Sequence, residues 1–107
     1  MELETAARGF AELGNATRLR IFRLLVRSGE SPLTVGEIQS ELKIPASTLS
    51  HHISRLVWAG LVEREREGRV LRCRPRFAAL HALVDFLYRE CCEEGANRVS
   101  SRRRPGR

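Results

Sequence analysis

Residues 34–74 constrain the fold more than any other part of the chain, because three local patterns follow one another there. Thr34 and Glu37 form a capping box, which predicts that a short helix begins at this point. Pro45 ends the following turn and can begin a second helix, which Gly60 then ends. An alternating, arginine-rich segment comes next and predicts a two-stranded hairpin. The order of these elements predicts a helix-turn-helix followed by a wing.

The second predicted helix, residues 45–59, has two chemically different faces. Its apolar residues recur at offsets 0, 4, 7 and 8, which is the spacing of one buried helical face: Leu49, Ile53, Leu56 and Val57. The opposite face carries short hydroxyls, an imidazole and a guanidinium, the groups that read base edges in a major groove. We therefore predict the DNA-binding residues of this helix to be Ser47, Thr48, Ser50, His51 and Arg55. His52 is expected to border the core.

The predicted wing consists of strands over residues 61–66 and 69–74, joined by a turn at Glu67-Gly68. Six arginines and two glutamates lie between Arg64 and Arg76. Such a cluster beside a recognition helix is suited to phosphates or to an adjacent minor groove. The sequence thus predicts three further DNA-binding residues, Arg64, Arg66 and Arg69. The alternative is that these arginines form only a solvated strand face.

Three more helices are predicted from apolar periodicity. They cover residues 3–13, residues 16–27 with Asn15 as N-cap, and residues 77–92. The predicted fold class is therefore mostly α with a β-hairpin wing (α+β), a winged helix-turn-helix. The first and last helices are expected to form a homodimer surface. We divide the chain into a DNA-binding and dimerisation domain, 1–95, and a basic disordered tail, 96–107.

Overall charge does not by itself indicate a nucleic-acid partner. The formal net charge is +6 over 107 residues, but five of the arginines lie in the last eleven residues, which leaves about +1 elsewhere. A DNA-binding interpretation therefore depends on clustering. Three cysteines, an odd number, argue against a secreted disulfide scaffold and favour the reducing cytoplasm. No apolar run approaches the roughly 18 residues of a membrane span, so no membrane partner is expected.

Four segments in consecutive order resemble the ArsR/SmtB family of metalloregulatory repressors. They read GNATRLRI at 14–21, LTVGEI at 33–38, STLSHHI at 47–53 and AGLV at 59–62. The resemblance covers about residues 3–92 and implies a homodimeric repressor, without a constitutive cofactor, that releases double-stranded operator DNA when an inducer binds. Many arsenic- and cadmium-responsive members carry a Cys-x-Cys pair where this chain has Thr34 and Gly36. Zinc-responsive members place Asp, His and Glu ligands on the last helix, where this chain has residues such as Arg76, Ala78 and Arg89. Neither of these two family sites is therefore expected here.

The cysteines themselves are similar in arrangement to those of arsenic-responsive relatives with a C-terminal cysteine pair. Cys73 lies on the return strand of the wing, and Cys91 and Cys92 end the last predicted helix. This resemblance implies a metal or metalloid site at Cys73, Cys91 and Cys92, with a trivalent arsenical (arsenite or methylarsenite) as inducer. Soft thiolates select such soft centres. Sixteen residues separate Pro75 from Cys91, roughly 24 Å if helical, so Cys73 would meet the pair only across a dimer axis.

Several alternatives remain open at this point. Cys73 could be only a small buried hydrophobe. The same cysteines could sense oxidants, sulfur species or another soft metal instead of an arsenical. An enzyme with a cysteine nucleophile is disfavoured, because no acid or base lies at a useful spacing and a helix C-terminus disfavours a thiolate. A winged helix that binds protein is disfavoured by the arginine-rich wing.

Overall fold

The computed structural model describes residues 1–89, and these form five helices and three strands. In chain order they are α1 Leu3–Leu13, α2 Ala16–Arg27, β1 Leu33–Thr34, α3 Val35–Leu42, α4 Ala46–Trp58, β2 Val62–Glu67, β3 Val70–Pro75 and α5 Phe77–Tyr88. The predicted fold class is confirmed: the described chain is mostly helical with an antiparallel hairpin wing. The predicted end of the last helix, the pair Cys91–Cys92 and the basic tail lie outside the described residues.

Local hydrogen bonds explain where the helices begin. The Asn15 side-chain oxygen accepts a hydrogen bond from the backbone N–H of Arg18 at 3.0 Å, which caps α2. At α3 the Thr34 hydroxyl accepts from Glu37 N–H at 3.0 Å, and the Glu37 carboxylate accepts from Thr34 N–H at 2.8 Å. Both donors would otherwise lack partners at a helix start. The capping box predicted from the sequence is therefore present.

The sheet has the order β1-β3-β2 with antiparallel pairing throughout. The wing strands lie one residue later than predicted, because Gly68 takes a positive φ of 63° and the turn is formed with Arg69. Strand β1 was not predicted, since two residues are too short to show an alternating pattern. It pairs Leu33 with Cys73, so it covers the free edge of β3.

A single apolar core joins the helices to the base of the sheet. Its fully buried side chains include Ile21, Leu25, Ile38, Leu49, Ile53, Leu56, Leu61, Val62, Cys73 and Leu83. Gly9 lets α1 approach α5 closely, because a Cβ at that position would lie 3.2 Å from both Leu83 methyl carbons. On the outer side of α5, Leu87 and Tyr88 stay 68% and 62% exposed. None of the described helices is long and apolar enough to cross a membrane.

Candidate nucleic-acid interface

The polar face of α4 is available to a partner. Its residues Ser47, Thr48, Ser50 and His51 are exposed, while Leu49 and Ile53 between them are buried. The two faces predicted for this helix are therefore both observed. A face of short hydroxyls and one imidazole presents hydrogen-bond donors and acceptors without filling the space that a base edge would need.

One face of the wing is apolar at its base and cationic toward its tip. Pairing partners in an antiparallel sheet share a face, and residues two apart along a strand do too. Val62 pairs with Pro75, Arg64 with Cys73, and Arg66 with Leu71, so these six residues share one face. Val62, Pro75 and Cys73 are buried, whereas Arg64 and Arg66 are exposed. We call this the open face of the wing.

The other face, which we call the paired face, is neutralised by its own acids. Three ion pairs join glutamates of β2 to arginines of β3 and to Arg76, the residue after β3: Glu63–Arg76 at 3.4 Å, Glu65–Arg74 at 3.6 Å and Glu67–Arg72 at 2.7 Å. Within residues 1–89, no carboxylate lies within ion-pair distance of Arg64, Arg66 or Arg69. These are the three wing arginines that the sequence predicted to bind DNA. Their charges are the ones left for an anionic partner.

The open face of the wing and the polar face of α4 are joined by a direct contact. Arg64 donates a hydrogen bond from Nη1 to the Ser54 hydroxyl at 3.2 Å. Ser54 is exposed and lies one helical turn after Ser50. It was not among the predicted contacts, although its position four residues from Ser50 could have indicated the same face. The contact of Arg64 with Ser54 thus brings the base of the wing's cationic side next to the polar face of α4.

Arg55 is turned toward α1. Its Nε donates to Oε1 of Glu12 at 3.1 Å, and its Nη2 donates to Oε2 of the same carboxylate. Glu12 is only 4% exposed and also lies 3.2 Å from the Arg18 guanidinium. The hydrogen bond from Arg55, more than the nearby charges, lowers the pKa of Glu12, and it raises the pKa of Arg55 in turn. No sequence pattern indicates this pair, since 43 residues separate its members.

His52 borders the core, as predicted. Its Nδ1 lies 3.2 Å from Nη1 of Arg18, and because a guanidinium can only donate, Nδ1 accepts. Burial lowers the pKa of His52, and the positive charges of Arg18 and His51 lower it further. The neutral imidazole is therefore the form that fits this position.

Cys73 lies in the core at the base of the open face and has 0% exposure. Burial raises the pKa of its thiol, and the charge of Arg64 opposes this effect more weakly. Among residues 1–89 no group of three His, Cys, Asp or Glu side chains could hold a metal ion. Cys91 and Cys92 lie outside the described residues, so the predicted three-cysteine site stays a prediction. For Cys73 alone, its burial favours the alternative of a small buried hydrophobe.

Comparison with known proteins is consistent with a surface built to bind DNA. Residues 13–65 match the family model of a helix-turn-helix domain. An uncharacterized HTH-type transcriptional regulator of Methanocaldococcus jannaschii is 43% identical over 65 residues, which are 61% of this chain and 71% of that protein. A Halobacterium salinarum protein named "Putative arsenical resistance operon repressor ArsR" is 38% identical over 77 residues, 64% of this chain but only 59% of the relative.

Two solved structures are similar over most of the chain. An ArsR-like transcriptional regulator from Rhodococcus has a TM-score of 0.76 and 26% identity, with 92% of this chain and 89% of that one covered. The homodimeric winged helix-turn-helix domain of Mb0332 from Mycobacterium bovis, described as a possible ArsR-family regulator, has a TM-score of 0.65 and 32% identity, with 86% and 85% covered.

These similarities define the class of protein as a helix-turn-helix transcriptional regulator, a class that binds DNA and is not enzymatic. Within that class the chain belongs to the ArsR family of winged-helix regulators. The family resemblance found in the sequence is thereby confirmed at this level.

Proposed function

We propose that the protein is a homodimeric repressor that binds a specific DNA duplex through α4 and the open face of the wing. In this arrangement α4 lies in the major groove, and Arg64, Arg66 and Arg69 bind phosphates or the neighbouring minor groove. The observation that carries the proposal is the hydrogen bond from Arg64 to Ser54. It joins a hydrogen-bonding surface that can discriminate bases to arginines that have no acid partner within residues 1–89.

The proposed dimer uses α1 and α5. Gly9 and Leu83 bring these two helices into close packing, and Leu3 of α1 and Leu87 and Tyr88 of α5 stay exposed. Exposed aromatic and aliphatic side chains on adjacent helices are suited to burial against a second copy. The Mycobacterium bovis relative is homodimeric, which supports the same assembly here. A two-fold dimer would place its two α4 helices on successive half-sites of a palindromic operator.

We further propose that a trivalent arsenical bound by cysteine thiolates releases the DNA. The name of the Halobacterium salinarum relative and the adjacent Cys91 and Cys92 support this. Cys73 fits the ligand set poorly in the described conformation, because its thiol is buried and its pKa is raised. A methylated trivalent arsenical has two positions left for sulfur, so Cys91 and Cys92 would suffice for methylarsenite. Arsenite, which can take three thiolates, would require Cys73 to leave the core.

The competing function is a repressor that senses oxidants, sulfur species or another soft metal. Adjacent thiols favour it as well, because oxidation of one thiol to sulfenic acid allows a second thiol to form a disulfide. The two regulatory inputs differ in the chemistry required. Arsenical binding requires reduced thiolates, whereas a disulfide forms only when an oxidant removes two electrons from the pair of thiols.

DNA binding is tested by selecting duplexes from a random library with the reduced full chain. We expect enrichment of a palindromic site and affinity that falls steeply with salt. Failure to enrich any duplex would contradict the proposed function.

The inducer is tested on the selected duplex with arsenite, methylarsenite, zinc, cadmium and hydrogen peroxide, each applied to wild type, C73S and C91S/C92S. The proposal expects release by methylarsenite from wild type and C73S, but not from C91S/C92S. Release by peroxide, zinc or cadmium but not by an arsenical would favour the competing function, and release by none of the five would contradict the arsenical proposal.

A further inference from the structure

Three residues of α4 contact side chains of α1 and α2. His52 accepts from Arg18 of α2, and Arg55 donates to Glu12 of α1. Trp58 continues the same side, with the Arg55 guanidinium 5.1 Å from its ring centroid and that of Arg8, from α1, at 4.6 Å. These three α4 residues recur every three positions, so they form one edge of the helix.

The pair of Glu12 and Arg55 is the most directional of these contacts. Two guanidinium nitrogens meet the two carboxylate oxygens, a fork that fixes the angle between the groups as well as their distance. Arg18 holds the same carboxylate from the side of α2, with Nε also donating to the Glu12 backbone carbonyl at 2.8 Å. The carboxylate is therefore clamped between α2 and α4.

The helix that carries Glu12 also contacts α5. Gly9, three residues before Glu12, lies against Leu83 of α5. The angle of α4 relative to α5 therefore depends on α1, which packs against α5 at Gly9 and is paired with Arg55 of α4 through Glu12.

We infer that Glu12 and Arg55 are positioning residues that set the angle of α4 against α1 and α5, and thereby the spacing of the two recognition helices in the dimer. This inference rests on the proposed function, because it assumes a dimer that reads two half-sites. It also replaces the direct DNA contact predicted for Arg55, since the guanidinium is committed to a buried carboxylate. Glu12 then affects DNA binding without touching DNA.

The two roles of Arg55 have opposite consequences for Glu12→Gln. If Arg55 binds phosphate, E12Q frees the guanidinium from its carboxylate, and DNA binding stays the same or tightens. If the pair positions α4, E12Q weakens specific binding to the same extent as R55Q, and the double variant E12Q/R55Q is no weaker than either single one. Such non-additivity is expected for two residues that act through one contact.

The experiment uses the duplex selected by wild type, together with versions that have one base pair added or removed between the half-sites. We expect E12Q and R55Q each to bind the selected duplex about 10-fold more weakly. The ratio of their affinities for the selected duplex and for the duplexes of altered spacing should also fall by about 10-fold. The reason is that an α4 held at a less fixed angle can bind half-sites at other spacings. The slope of log K against log salt should be unchanged, since no phosphate contact is lost. A generally destabilised protein would lose affinity without losing its spacing preference.

The matched controls are Glu4→Gln and Arg55→Lys. E4Q removes the same charge from an exposed position on the same helix and should bind as wild type does. R55K keeps the positive charge but loses the fork, so it should behave like R55Q.

The positioning role is overturned if E12Q keeps wild-type affinity and spacing preference. It is also overturned if R55Q lowers the salt slope by about 1.8 units, the value for one phosphate contact per subunit. Should E12Q fail to fold, R55Q and R55K decide between the two roles by the same slope and spacing measurements. A wild-type protein that enriches no duplex contradicts the proposed function itself rather than the role of Glu12.

Discussion

The two faces of the wing have similar arginine content but opposite electrostatic character. On the paired face, Arg72 and Arg74 are each opposed by a glutamate of β2. On the open face, Arg64 and Arg66 alternate along the strand with those same glutamates but point away from them. Because side chains alternate between the two faces of a strand, the positive charge that no glutamate neutralises lies on one side of the hairpin.

This segregation explains how a nearly neutral domain can present a cationic surface. Counting charges over the hairpin shows an excess of arginine but does not show which arginines are free. The strand register determines this, because it decides which residues meet across the two strands. Acids on the paired face also discourage DNA from approaching from that side, so they orient the wing.

The largest expected effect comes from removing the two open-face arginines. We expect R64Q/R66Q to weaken binding to the selected duplex by about 100-fold, or about 2.7 kcal/mol, because up to four phosphate contacts are lost per dimer. The slope of log K against log salt should fall by about 3.6 units.

The matched control is R72Q/R74Q, which removes the same charge from the paired face. It should weaken binding by less than about 5-fold and change the slope by less than about 1 unit. Equal losses for the two double variants would show that the faces are not distinct and that only net charge matters. Fluorescence anisotropy at several salt concentrations measures both quantities.

Much of this arrangement could be predicted from the sequence. Thr34–Glu37, Pro45 and Gly60 are local signals, so the helix-turn-helix and the helix boundaries followed from neighbouring residues. The exposed residues of α4 followed from a period of 3.6.

What could not be predicted depends on distant residues meeting. Glu12 and Arg55 are joined only by the packing of α1 on α4. The paired face requires the exact register of β2 against β3, because a slip of one residue would have placed Arg72 and Arg74 on the same face as Arg64 and Arg66. The predicted strands, both one residue early, keep Arg64 and Arg66 on one face, but no sequence pattern indicates that the glutamates of β2 pair with Arg72 and Arg74 on the other.

A second, smaller effect is expected from neutralising acids on the paired face. We expect E65Q/E67Q to tighten binding to a random-sequence duplex by about 10-fold, or about 1.4 kcal/mol, because Arg74 and Arg72 become available to phosphates. Discrimination between the selected and random duplexes should fall accordingly.

The control for this change is E2Q/E4Q, which removes two exposed acids at the start of the chain. Its effect on random-duplex binding should be no more than about 2-fold, since those acids have no ion pair within residues 1–89. If E2Q/E4Q tightened binding as much as E65Q/E67Q, long-range charge rather than released arginines would be the cause.

The smallest effect concerns the apolar base of the open face, where Cys73 pairs with both Leu33 and Arg64. We expect Cys73→Ser to lower the free energy of unfolding by about 1 kcal/mol, because a buried hydroxyl replaces a group that behaves as a hydrophobe. Cys73→Ala should cost less than Cys73→Ser, and both should keep the response to methylarsenite. Urea unfolding measures the first two values. If both variants were as stable as wild type but lost the arsenical response, Cys73 would be a ligand and the base of this face would open during induction.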